Sequence, residues 1–144
     1  MLELSDIYAA LDAQQAEIFV YDIGFTSAAT IEMNDRYAVF FDPALCRTAA
    51  ALKLCLAHEC GHCATGATHR LASKWDIISR HEYKADRWAI ERFLPFDALC
   101  DAIQIGYCEA WQLAEYFDVP QIFIEKALCH YLQHKNLHFD GTSN

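Results

Sequence analysis

Residues 58–62 read His58-Glu59-Cys60-Gly61-His62, and the fold has to be built around them. On a helix, residues four apart share a face one turn apart. His58 and His62 therefore aim two imidazoles at one point. Two such rings can hold a single divalent cation, and zinc is the ion expected. Glu59 lies about 100° further round the helix, within reach of a water held at that point. The pentapeptide points to metal-assisted hydrolysis. Gly61 is a mild cost in a helix interior, but it removes a side chain where another backbone could approach closely.

The residues leading into the motif favour a ligand role. Ala49, Ala50, Ala51, Leu52, Leu54, Leu56 and Ala57 make the approach apolar almost all round, and such a helix is mostly buried. Two histidines and a glutamate inside it are costly without a partner. The alternative, a helix with ordinary surface histidines, does not suit these flanks.

Hydrolytic zinc usually takes three protein ligands and keeps a fourth position for water. Residues 80–95 supply the third. Ala85, Trp88, Ala89 and Phe93 recur there at helical spacing. Ser73 with Asp76 forms a capping-box pattern with Asp in place of Glu, and Pro95 follows the helix end. Glu82 and Asp86, four apart, share one face. Glu82 can ligate. Asp86 can accept a hydrogen bond from the free ring nitrogen of a ligating histidine, which fixes its tautomer and orientation. His69 and His81 are rivals for the third position, although His81 points about 100° away from Glu82.

His58-Glu59-x-x-His62, followed by Glu82-x-x-Ala85-Asp86-x-Trp88-Ala89 and closed by Leu94-Pro95, resembles the ImmA/IrrE family of gluzincin-type metallopeptidases. The resemblance covers residues 36–95 well and the rest weakly. Trp88 stands where the family usually has Phe. Arg92-Phe93-Leu94-Pro95 stands where it often has Leu-Leu-Met-Pro. Neither departure touches a ligand. The resemblance implies one zinc ion held by His58, His62 and Glu82, with Glu59 as general base and Asp86 as the partner of His58. It also implies a protein substrate, commonly a helix-turn-helix repressor encoded nearby on a phage or mobile element or in a stress response. A strand beside the motif helix, 37–41 or 28–33, would receive the substrate as an extended chain; both also read as plain core strands.

Composition sets the outer bounds. One domain is expected for 144 residues, and 54% hydrophobic residues can bury a core. There is no run of 18 apolar residues, so no membrane-spanning helix is expected. The start, Met1-Leu2-Glu3-Leu4-Ser5-Asp6, is acidic and lacks a signal-peptide pattern, which points to the cytoplasm. The seven cysteines read as free thiols of a reducing compartment. Cys60 and Cys63 have Cys-x-x-Cys spacing, yet they sit about 100° or more beyond the histidine face and are expected in the core. A net charge of −9 argues against non-specific nucleic-acid binding.

The expected fold is α+β. A compact zincin-like core packs a small amino-terminal sheet of about three strands on the two metal-binding helices, with further helices at the carboxyl end. The single domain, 1–144, comprises a core at 1–95, a helical subdomain at 96–134 and a tail at 135–144. A first helix is predicted over 5–17 with Ser5 as its cap. Strands follow at 18–23, 28–33 and 37–41, with Asn34-Asp35 as a hairpin turn lacking the favoured Gly. Asp42-Pro43 reads as a helix start, and the motif helix runs from there to about 64. Residues 66–73 form a loop before the second ligand helix. Helices are predicted over 96–104, 109–117 and 121–134.

Residues 110–132 echo a helix-turn-helix, but the segment that would read DNA carries one Lys and no Arg. Phosphate contacts need more positive charge, so core packing or protein contact is expected there. In the hydrolytic reading Glu59 takes a proton from the attacking water and passes it to the leaving amine. Tyr37, His69, His81 and Tyr83 are candidate donors to the oxyanion. The rival reading is a catalytically silent regulatory module that binds a repressor or other partner and uses zinc as a clip. The intact Glu59 argues against it, because a structural site needs no general base.

Overall fold

The computed structural model describes residues 1–66 and 75–139, with backbone alone for 75–77. Among them are a three-stranded mixed sheet and six α-helices, an α+β arrangement. The chain forms two compact units. One is Glu3–Ala89; the other joins Met1–Leu2 to the chain from Ile90 onward. No helix among the described residues is long and apolar enough to cross a membrane.

The first unit opens with α1 (Leu4–Ala13), which buries Ile7, Ala10 and Leu11 at helical spacing. Its entrance is fixed by Asp6, whose carboxylate accepts the Glu3 N–H at 3.1 Å, and not by Ser5. Gln15 adopts φ 57° and turns the chain straight into β1 (Ala16–Val20). The predicted helix over 5–17 thus overruns the observed end by four residues and misses Leu4 at the start, and β1 starts before residue 18. Side-chain pattern alone could not show that the chain reverses at two glutamines.

β2 (Ala28–Met33) and β3 (Arg36–Phe41) form an antiparallel hairpin, registered from Ala28↔Phe41 to Met33↔Arg36. Asn34 and Asp35 both take positive φ, 51° and 60°. A two-residue turn of this hand requires that, and Asn and Asp tolerate it without glycine. β1 pairs with β3 in parallel, so the strand order is β1-β3-β2. Tyr37–Phe41 is therefore paired on both sides and cannot be the strand that receives an extended peptide. β2 is an edge of the sheet.

Asp42 does not start the motif helix. It is buried, and its carboxylate accepts the N–H of Gly24 and of Ala44, each at 2.9 Å. Its carbonyl accepts from Leu45 and Cys46. These bonds, that of Gly24 first, hold the Asp42 carboxyl below its usual range. They close a turn that pins residues 42–46 to the segment before β2. The helix α2 (Ala49–Thr65) begins seven residues after Asp42, capped by the Thr48 hydroxyl, which accepts the Ala51 N–H at 3.0 Å. It ends at Gly66, left-handed at φ 63°.

α3 (Trp75–Phe93) follows. Ala85, Ala89, Ile90 and Phe93 are its buried stripe. The predicted loop, with His69 and the cap residue Ser73, lies outside the described residues from 67 to 74.

In the second unit, α4 (Phe96–Gln104) starts directly after Pro95. α5 (Ala110–Phe117) is capped by the Gln112 side chain, which accepts the Glu109 N–H at 2.9 Å. α6 (Gln121–Cys129) follows Pro120 and passes into a π-helical turn, His130–His134. The last predicted helix is thus two kinds of helix. Leu94, Leu99, Leu113, Phe123 and Ile124 are wholly buried or nearly so. The buried Tyr131 hydroxyl donates to the Leu94 carbonyl at 2.9 Å. Of the predicted tail, Phe139 lies against Phe96 with ring centroids 4.8 Å apart, and Lys135 reaches Glu91 at 3.0 Å. Residues 140–144 lie outside the description.

Candidate metal centre

The centre forms where α2 meets α3, and Gly61 lets them meet. A Cβ at Gly61 would lie 2.2 Å from the Ala85 carbonyl oxygen and 2.8 Å from its C and Cα. The two backbones are in contact, with only hydrogen on one side. Ala85 stands between Glu82 and Asp86 in sequence. Touching at Gly61 therefore sets the two acidic side chains against the two histidines.

The ligand atoms of His58, His62 and Glu82 lie within 4.8 Å of one another. His58 Nε2 is 2.7 Å from Glu82 Oε2, His62 Nε2 is 3.2 Å from Glu82 Oε1, and the two Nε2 atoms are 3.1 Å apart. Ligands at about 2.0–2.1 Å around a tetrahedral zinc stand roughly 3.3–3.4 Å apart. Two separations are already close to that, and the third needs only a small opening. Two imidazoles and one carboxylate are also the donor types that zinc favours. The residues fit the ion.

Asp86 sits behind His58, its Oδ1 2.7 Å from Nδ1. That contact assigns the ring proton to Nδ1 and turns Nε2 toward Glu82 and His62. Burial opposes charge on His58, but the hydrogen bonds to Asp86 and Glu82 outweigh it and raise the ring to about 10. Glu82, bonded first to His58 and then to His62, is held well below the usual carboxylate range. With Glu82 and Asp86 each 2.7 Å from the His58 ring, the pocket favours positive charge.

Glu59 is 7% exposed and turns toward the sheet. The Thr30 hydroxyl on β2 donates a short hydrogen bond to Glu59 Oε2. This residue was not legible as functional in the sequence. Ala28 and Thr30 alternate along β2 toward one face, but only the packing of β2 on α2 says which residue they meet. Nearby, the Cys63 thiol is pushed up to about 12 by burial, then by Cys60 and Glu59. Cys60 and Cys63 are both buried and stand outside the ligand group.

Among the candidate oxyanion donors, Tyr37 is half-buried on β3, and burial first, then Glu32, raises its hydroxyl. His81 is half-buried and Tyr83 exposed on α3; His81 is not in the ligand group. His69 lies outside the described residues. In the second unit, the exposed positions of α6 include Gln121, Ile122, Glu125 and Lys126, so its one base is offset by an acid. Compared with family models, with curated proteins and with solved structures, the chain matches none of them.

Proposed function

We propose that this protein is a zinc-dependent endopeptidase of the ImmA/IrrE kind, acting in the cytoplasm on a protein substrate, with a helix-turn-helix repressor as the expected class. The observation that carries this reading is the convergence of His58, His62 and Glu82 beside a buried Glu59 held by Thr30.

His58, His62 and Glu82 would hold one zinc ion, whose Lewis acidity when bound acidifies water and polarises a carbonyl. Glu59 acts as general base: a carboxylate oxygen takes the proton from the attacking water and returns it to the leaving amine. Thr30 fixes one Glu59 oxygen, so the other is left to face the reacting water. Asp86 keeps the His58 proton on Nδ1 and its Nε2 lone pair free. β2 is a sheet edge, so an extended substrate segment can pair with its backbone and lie across Glu59.

Glu59→Gln tests the proposal, because it removes the base and none of the three ligands. Zinc content should match wild type, while cleavage of a co-expressed repressor from the neighbouring gene should be lost. If mutant and wild type cleave or release the repressor equally, the protease reading fails and the chain is a zinc-clipped binding module.

A further inference from the structure

Outside the metal centre, two thiols converge on one serine. Cys46 ends the turn that Asp42 closes, and Cys55 lies in the second turn of α2. Their sulfurs are 3.3 Å apart. Cys46 Sγ is 3.6 Å from the Ser27 carbonyl oxygen, and Cys55 Sγ is 3.3 Å from the Ser27 hydroxyl. A disulfide needs about 2.05 Å between sulfurs, so roughly 1.3 Å of approach separates the pair from a bond.

We propose that Cys46 and Cys55 are a redox pair that a hydroperoxide converts into a disulfide, pinning the first half of α2 to the turn ahead of it. Cys55 reacts first. It is half-buried where Cys46 is buried. Its sulfur accepts from the Cys46 thiol, and its own thiol donates to the Ser27 hydroxyl oxygen. Burial, followed by the bond to Cys55, pushes the Cys46 thiol up to about 12, which keeps it protonated as the donor.

The chemistry balances in two steps. The Cys55 thiolate attacks the terminal oxygen of the hydroperoxide. The O–O bond breaks, Cys55 becomes a sulfenic acid, and the departing alkoxide takes a proton and leaves as an alcohol. The Cys46 sulfur then attacks the Cys55 sulfur. The S–S bond forms, the S–O bond breaks, and the hydroxide leaves with the Cys46 proton as water. Two thiols and one hydroperoxide give a disulfide, an alcohol and a water. A dithiol reverses the change by exchange.

The position makes the bond consequential. Cys55 and Glu59 are four apart on α2 and share a face. Cys55 meets Ser27 just ahead of β2, and Glu59 meets Thr30 within it. A Cys46–Cys55 bond therefore fixes α2 to the turn ahead of it, one helical turn before Glu59.

The test uses the full chain after chelation, which removes metal-catalysed oxidation. Hydrogen peroxide is added, remaining thiols are alkylated, and tryptic peptides are weighed. Alkylatable thiols should fall from seven to five, with peptides 37–47 and 54–70 joined, two hydrogens lighter than their sum, and fragmentation placing the bond on Cys55 while Cys60 and Cys63 carry the alkyl label. Dithiothreitol should restore seven. In urea the same treatment should lose this selectivity. Cys46→Ser should leave a sulfenic acid on Cys55 that dimedone traps, and Cys55→Ser should leave Cys46 alkylatable. Should a variant fail to fold, the wild-type map decides alone. The proposal is overturned if both thiols remain alkylatable once the exposed Cys108 and Cys129 have been oxidised, or if Cys60–Cys63 is the dominant bridge.

Discussion

Replacing Gly61 with alanine sets two opposing effects against each other. Helix propensity alone favours Ala over Gly by about 1 kcal/mol in a helix interior. The structure predicts the opposite sign. The new methyl would sit 2.2 Å from the Ala85 carbonyl oxygen, whereas ordinary contact begins at 3.4 Å. α2 and α3 must part by the difference, about 1.2 Å, because the obstacle is backbone and cannot rotate away. Overpacking of this kind costs about 1–3 kcal/mol, and a backbone clash belongs at the upper end. The net expectation is a loss of about 1–2 kcal/mol in the metal-free protein. Metal binding should suffer more, since ligand distances must hold within about 0.2 Å. Moving Glu82 away from both histidines by several times that tolerance should weaken zinc by on the order of 100-fold or more. Urea unfolding of the chelated protein measures the first effect, and competition with a chromophoric chelator the second. If Gly61→Ala is as stable as wild type or more so, and binds zinc equally well, the helices do not meet at this glycine and the account of the site is wrong.

Three further outcomes follow from the same geometry. Asp86→Asn keeps the shape but weakens the acceptor behind His58, so zinc affinity should fall by about 10–100-fold; unchanged affinity in the chelator competition would mean that Asp86 does not orient the ring. In the chelated protein, His58 is raised from 6.5 to about 10, so its stabilising contribution is complete below pH 6.5 and fades as pH rises toward about 10. Glu82 is lowered from 4.5, so its contribution is present above pH 4.5 and fades as pH falls. Metal-free stability should therefore peak between those values, whereas the increment on adding zinc should grow with pH because the ligands must shed protons; thermal melts with and without zinc at several pH values check both signs. Tyr131→Phe removes a buried hydrogen bond to Leu94 and should cost about 1 kcal/mol in urea unfolding, with zinc affinity untouched.

The parts of this protein that were legible in its sequence are those with a local signature. The His58/His62 and Glu82/Asp86 pairs are each set by helical spacing, and the structure brings all four together. Gly61 was legible as a point of close approach for the same reason. β2 and α4 have the predicted bounds, because turn residues or Pro95 punctuate them. Long-range pairing was not legible. Asp-Pro opens helices and turns alike, and the choice at Asp42 is made by the N–H of Gly24, eighteen residues away. The central place of β3 depends on β1 returning in parallel, which no alternation pattern encodes. Thr30 acquires its role only from the element packed against it.

The strand order also constrains how the sheet can be assembled. β2 and β3 close over two turn residues, a loop that forms within microseconds and costs little chain entropy. β1 meets β3 only through pairs such as Ala16↔Tyr37, with β2 and its turn lying between them in the chain. β1 has no partner until β3 is in place, so the route to the native sheet runs through the hairpin. The most local pairing in the sheet is thus set at Asn34-Asp35, on the strand pair that carries Thr30.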